Sequence, residues 1–262
     1  MQNSHFEAVV AEFMDRLSTA SESILLLDYD GTLAPFHKER DRAYPYPGVL
    51  HILESISRCD RTRVAIISGR PVREIQALLT PLSNLEIWGA HGLEHLLVDG
   101  TYQLTALNPN IAAALAQATK WLEGAKLSSV AEIKPGGIAI HWRGLPYAEI
   151  ERLNTLTQQE WVRIAQQPGL KLLQFDGGVE LRTTRPDKGD AVAAVLKNLS
   201  LEAPIAFLGD DLTDEDGFRV LNGRGLSVLV RSEYRKTGAN AWLRPPRELI
   251  EFLERWSRAI SR

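Results

Sequence analysis

Residues 23–36 read SILLLDYDGTLAPF, an unbroken apolar run from Ile24 to Leu27 that gives way at once to Asp28, Tyr29, Asp30 and Gly31. The run does not alternate, so as a strand it has both faces buried, the habit of a parallel sheet covered by helices. Asp28 and Asp30 then stand at the strand's carboxyl end, where open α/β sheets bind ligands, and Gly31 permits the sharp turn such a place needs. A single Asp after a strand is most simply a cap for the next turn. Two acids one residue apart, followed by Gly31 and Thr32, call for partners elsewhere in the chain.

Downstream, Pro47 opens a helix with Val49, Leu50, Leu53 and Ile56 on one face, and a second buried strand runs from Val64 to Ile67. That strand ends in Ser68, Gly69 and Arg70, and Pro71 starts another helix through Ile75, Leu78 and Leu79. A third strand, LEIW, leads into GAHGLE. This alternation predicts an α/β fold with a doubly wound parallel sheet. Between 107 and 184 the pattern changes to a helix (Ile111 to Leu122), strands joined by KPGG, a helix from Tyr147 to Ala165, and two strands joined by DGG. Two hairpins with helices predict a small antiparallel α+β domain at 107–184, inserted into a core made of 1–106 and 185–262. The parallel pattern then resumes with a helix beginning at Lys188, the strands PIAFLG and GLSVLV, and an amphipathic closing helix, PRELIEFLERWSRAI.

With 262 residues, 44% hydrophobic and 24% charged, the composition is that of a soluble globular protein able to bury a sizeable core. A formal net charge of -3 offers no global attraction for nucleic acid or an anionic membrane, so an anionic ligand must be held by local basic groups. The opening MQNSHFEAVV has neither a basic start nor a long apolar run, and no segment reaches spanning length; a cytoplasmic location is expected. The single cysteine, Cys59, makes no internal disulfide and reads as a packed helix position.

Four strand or helix ends carry chemistry: Asp28 with Asp30, Ser68, Lys188, and GDDLTDEDGF with Asp210, Asp211 and Asp214. Together they compose a phosphoryl-transfer site. Asp28 is the expected carboxylate nucleophile, and its charge repels a phosphate monoester unless a cation intervenes. Hard oxygen ligands beside phosphate point to Mg2+, held by Asp28, the backbone carbonyl of Asp30 and Asp210, with Asp211 and Asp214 of the same motif also expected metal residues. Lys188 adds positive charge, and Ser68 donates to the phosphoryl oxygens with amides near Tyr29 and Gly69. Asp30 is expected to have a raised pKa and to protonate the leaving alkoxide, while Asp28 stays ionised. Read singly, Ser68 is equally a helix cap, His91 and His141 are ordinary core or surface histidines, and Glu132 with Lys134 is a cross-strand ion pair.

DYDGT, Ser68, Lys188 and GDDLTDE resemble the four motifs of the haloacid dehalogenase (HAD) superfamily of phosphatases over the full chain. LLLDYDGTLAPF, IISGR, GAHGLE, AEIKPGGIAIHWR, GVELR and GDDLTDEDGF resemble, within it, the trehalose-6-phosphate phosphatases. That resemblance implies a C2-type cap at the insert and substrate contacts at Glu132, Lys134, His141, Arg143 and Glu180, with Arg70, His91 and Glu94 on the core. Trp142 stands where that family more often has Tyr. The expected activity is Mg2+-dependent hydrolysis of trehalose 6-phosphate by a monomer acting on a small-molecule sugar phosphate, with neither nucleic acid nor membrane as partner. The rival readings are a phosphatase for another glycosyl phosphate (of glucosylglycerol or glucosylglycerate), a sugar phosphomutase, and a non-catalytic sugar-phosphate sensor.

Overall fold

The computed structural model describes residues 2–80, 82, 85–175 and 177–261; Asp176, in the DGG link, lies outside them. The chain divides into two compact units, Met1–Gln103 with Asp187–Arg262, and Leu104–Pro186.

In chain order the first unit contributes α1 (Gln2–Thr19), β1 (Ser23–Leu27), α2 (Val49–Ser57), β2 (Thr62–Ile67), α3 (Val72–Leu78), β3 (Glu86–Gly89), β4 (Glu94–Leu96) and β5 (Tyr102–Leu104). The second unit follows with α4 (Pro109–Gly124), β6 (Ala131–Lys134), β7 (Gly137–His141), α5 (Tyr147–Ala165), β8 (Leu170–Phe175) and β9 (Gly178–Thr183). The chain then returns to the first unit as α6 (Lys188–Leu196), β10 (Ile205–Gly209), α7 (Glu215–Leu221), β11 (Leu226–Val230), β12 (Ala241–Leu243) and α8 (Arg247–Ile260).

Among the described residues the first unit's sheet runs β12-β11-β10-β1-β2-β3-β4-β5. Strands β12 through β3 are parallel, as the unalternating runs imply, whereas β4 turns back antiparallel to β3. That return was not anticipated: β4 and β5 have three residues each, too few to show a period. One sheet face packs against α1, α2 and α8 through residues such as Phe13, Leu17, Leu53, Phe252 and Trp256, and the other against α6 and α7 through Val192, Val195, Phe218 and Leu221. Leu25, Leu26 and Leu27 are therefore wholly buried whichever way they point. Each contributes on the order of 2 kcal/mol by leaving water.

From β1 the chain proceeds outward in one direction through β2 and β3, and from β10 in the other through β11 and β12. The strand order thus reverses between β1 and β10, and the crevice at their carboxyl ends is where such a sheet opens to a ligand.

In the second unit β6-β7-β9-β8 form an antiparallel sheet. One face carries Ile138, Ile140, Val179 and Leu181 against Ala118 and Leu122 of α4 and Leu153, Trp161 and Ile164 of α5. Period-2 alternation sends the intervening residues to the opposite face. Among the described residues no helix is long and apolar enough to cross a membrane.

Candidate active site

Asp28 follows β1 directly, and its amide donates to the Leu208 carbonyl at 2.9 Å, extending the ladder with β10 by one residue. Beyond it the backbone coils back: the Leu33 and Ala34 amides donate to the Tyr29 carbonyl (2.9 and 3.1 Å), and the Gly31 amide to Ala34 (2.8 Å). Gly31 has φ +82°, and a Cβ there would lie 2.2 Å from Asp210 Oδ2. Both facts favour glycine there, and a larger residue would have to displace the Asp210 carboxylate. The Tyr29 hydroxyl, buried, ties this turn to the Ala43 carbonyl at 2.7 Å.

Lys188 is the first residue of α6, whose N-terminus is closed by a reciprocal Asp187–Asp190 capping box. Its buried Nζ donates to Asp28 Oδ1 at 2.7 Å and to Asp214 Oδ1 at 2.6 Å. The other Asp28 oxygen, Oδ2, accepts from Thr32 at 3.3 Å. Asp210 leaves β10 beside Asp28. Its amide and that of Asp211 both donate to Asp214 Oδ2, at 3.0 and 2.9 Å. Gly209 is required here, since a Cβ would meet Asp214 Cγ at 2.3 Å.

The carboxylates of Asp28, Asp210 and Asp214 each present an oxygen within 4.8 Å of the others, all buried. Asp210 Oδ2 accepts no hydrogen bond from any described residue. Three buried acids crowd around Lys188, with the half-exposed Arg231 4.0 Å from Asp210 Oδ2, and a buried carboxylate oxygen without a hydrogen bond suits a cation. The all-oxygen donor set suits a hard divalent ion. Within it the acids differ. Asp210 Oδ2 is the oxygen without a hydrogen bond, Asp28 accepts from Lys188 and Thr32, and Asp214 accepts on both oxygens from Lys188 and the two amides, which also braces the turn.

Burial pushes the Asp28 carboxyl up to about 7, helped by Asp214 and Asp30 and opposed by Lys188. Asp210 is raised well above the usual carboxylate range by burial and by Asp28, Asp214 and Asp211. For Lys188 burial pulls downward, but Asp214 and Asp28 outweigh it and hold the ammonium charged. The sequence expectation of an ionised Asp28 therefore requires the cation. Asp30, the expected acid, has both oxygens in the fork of Arg70, which donates from Nε and Nη2 at 2.6 and 2.7 Å.

Several residues read as ligand contacts have structural partners. Arg70, besides Asp30, donates to the Arg40 carbonyl (2.9 Å) and to Glu74 (3.3 Å), and its guanidinium lies over the Tyr29 ring. Glu94 accepts from the Val72 amide (2.9 Å), where it closes the start of α3, and from the Tyr102 hydroxyl (2.8 Å). Ser68 Oγ accepts from the Arg70 amide at 3.1 Å, a local turn ahead of α3, whose N-cap is Pro71 with no side-chain cap. It still stands at the end of β2, next to β1. His91 sits at φ +59° after Ala90 at φ +46°. Its amide donates to the Ser68 carbonyl at 2.9 Å, and its imidazole occupies the space a Cβ on Gly69 would need. The strained turn thus fixes the ring against the Ser68–Arg70 loop.

In the second unit the register sets Glu132, Ala139 and Glu180 in one row across β6, β7 and β9, and Lys134, Gly137 and Arg182 in the next, on one face. Lys134 pairs with Glu180 at 2.6 Å, and Glu132 with His141 at 2.9 Å. Arg182, not singled out in the sequence, lies 3.7 Å from Glu180. Its signal was available, two residues after Glu180 and hence on the same strand face. Arg143 lies against Gly177.

A model of the trehalose-phosphatase family matches residues 26–243. A probable trehalose-phosphate phosphatase 4 of Oryza sativa subsp. japonica is 30% identical over 98% of this chain and 71% of its own. Among solved structures, the C-terminal domain of the C. albicans trehalose-6-phosphate phosphatase superposes with a TM-score of 0.79 at 20% identity, covering 95% of this chain and 96% of that one. A haloacid dehalogenase-like hydrolase from B. subtilis superposes with a TM-score of 0.63 at 15% identity, covering 88% and 99%. At those identities the two structures speak for the fold.

Proposed function

The chain belongs to the trehalose-phosphatase family, and from that premise we propose that it hydrolyses trehalose 6-phosphate to trehalose and phosphate through an aspartyl phosphate on Asp28, with Mg2+ held by Asp28, Asp210 and the Asp30 carbonyl. The observation that carries this reading is the buried Asp28 carboxylate at the β1/β10 reversal, gripped through one oxygen by Lys188 and facing the orphaned Asp210 Oδ2. When bound, Mg2+ would neutralise the acids and the phosphoryl charge.

The protein's own groups then divide the work. Lys188 holds the Asp28 carboxylate through Oδ1, and of its two oxygens one attacks phosphorus while the other would ligate the cation. The new carboxylate O–P bond forms as the bond from phosphorus to the sugar oxygen breaks. Lys188 stabilises charge on the transferring group, and Asp214 orients Lys188. Asp30 gives the departing sugar oxygen its proton and later takes one from the water that attacks the aspartyl phosphate. Both its oxygens are held by Arg70, so this duty requires the fork to open. Asp30→Asn should accordingly be impaired most with sugar phosphates and least with an activated aryl phosphate, whose leaving group needs no proton. Equal losses on both substrates would remove Asp30 from the role.

The segment at 107–184 is proposed as the cap that recognises the sugar, through the charged face carrying Glu132, Lys134 and Glu180. Phosphate release from a panel of trehalose 6-phosphate, glucose 6-phosphate and the phosphates of glucosylglycerol and glucosylglycerate tests the substrate. Trehalose 6-phosphate should be turned over with the highest kcat/KM, and a preference for another member would transfer the assignment to it. Alanine at Glu132, Lys134 or Glu180 should lower kcat/KM for trehalose 6-phosphate on the order of 10 to 100-fold while sparing a small aryl phosphate. A parallel fall on both would return these residues to an ion-pair network that supports the fold.

A further inference from the structure

The loop joining β11 to β12 carries Arg235, half-buried and remote in sequence from every motif above. Its guanidinium donates from Nε to the Asp210 carbonyl at 3.3 Å and from Nη2 to the Asp211 carbonyl at 2.8 Å. Nη1 donates to the Glu215 carboxylate and, at 3.1 Å, to the Lys236 carbonyl. Glu215, the first residue of α7, also accepts from the Thr237 hydroxyl at 2.7 Å and the Gly238 amide at 2.8 Å. The loop is thus fastened to α7 by one carboxylate, and Arg235 reaches back from it to the turn after β10.

The consequence is a clamp on two consecutive residues. Asp214 Oδ2 holds both amides of Asp210 and Asp211, and Arg235 holds both their carbonyls. Every backbone polar group of the pair is engaged, so the peptide cannot rotate without breaking charge-assisted bonds. The side chain on that peptide is Asp210, whose Oδ2 points into the acidic crevice with no donor among the described residues.

We propose that Arg235 is a positioning residue for the divalent-cation site, holding the Asp210 carboxylate in its ligating place through the main chain. This rests on the reading of the site as a cation-dependent phosphatase. The sign of its effect separates positioning from simple electrostatics. Arg235 is a positive charge near a cation site, so if charge alone mattered its removal would tighten cation binding. Positioning demands the opposite.

The test is Mn2+ binding to the full chain without substrate, followed by calorimetry or by the paramagnetic signal of free Mn2+. Arg235→Ala should weaken binding on the order of 10 to 100-fold, the usual scale for a partner that orients a ligand. Arg235→Lys keeps the charge but cannot span two carbonyls and Glu215, and it should lose most of the same affinity. Arg231 supplies the control: its Nη1 lies 4.0 Å from Asp210 Oδ2 and it is 41% exposed. Arg231→Gln should leave Mn2+ affinity unchanged or tighter. Should Arg235→Ala fail to fold, Arg235→Lys and Glu215→Gln carry the same expectation, with thermal unfolding in chelator as the check on the fold. Folded Arg235 variants that bind Mn2+ as tightly as wild type, or more tightly, would overturn the proposal. A wild-type protein that binds Mn2+ yet hydrolyses no phosphate ester would overturn the phosphatase reading and leave the clamp standing.

Discussion

Asp28→Asn is expected to abolish phosphate release, by on the order of ten-thousand-fold or more, in a protein that is at least as stable as wild type when metal-free. The two halves have one cause. An amide of the same shape can still accept from Lys188 in place of Oδ1, so the link at 2.7 Å survives, but it is no nucleophile. At the same time it removes an anion from a buried crevice in which Asp28, Asp210 and Asp214 crowd together. The elevation of Asp28 to about 7 records how unfavourable its charge is there. Phosphate release with thermal unfolding in chelator measures both. Retained turnover would dismiss Asp28 as nucleophile, and a collapsed fold would mean that the carboxylate serves structure.

Exhaustive chelation is expected to silence the enzyme completely and reversibly, with Mg2+ restoring it, and the cation's affinity should depend on pH in a defined direction. Metal-free Asp28 titrates near 7 and Asp210 is raised as well, so below that pH protons occupy the oxygens a cation needs. Affinity should therefore rise with pH, by up to about tenfold per unit for each proton displaced, and level off only once both carboxyls are ionised. Stability follows the same linkage with the opposite sign. An acid whose folded pKa exceeds its unfolded value contributes stability while protonated and loses it as pH climbs from about 4 to about 7. The thermal shift on adding Mg2+ should accordingly be larger at pH 8 than at pH 5.5. Full activity after chelation, or a cation affinity flat across this range, would refute the assignment.

What the sequence determined by itself is whatever the chain fixes locally. Ile24 to Leu27 cannot alternate and still be half-exposed, so β1 had to be covered on both faces, and Asp28 had to emerge at its carboxyl end. The same logic placed Asp210 after β10, Ser68 after β2 and Lys188 at the head of α6. Period and continuity are properties of neighbouring residues, and they survive without knowledge of the fold. The weakly patterned pieces did not announce themselves: α1 and the three-residue strands β4 and β12 owe their form to what they pack against. Only the tertiary structure decided which charge meets which. Arg70 and Glu94 read as ligand contacts because their motif is a ligand's neighbourhood, and only the fold shows that Arg70 pairs with Asp30 and that Glu94 accepts from the start of α3. Asp214 shares the acidic cluster with Asp28 and Asp210, and only the fold shows that it also accepts from Lys188 and two amides. Arg235 gave no signal at all, because nothing in its own surroundings in sequence reports that the crossover from β11 to β12 returns it to the carbonyls of Asp210 and Asp211. A strand end locates a functional group; strand order and register, which bring distant segments to within 3 Å, choose its partners and so its role.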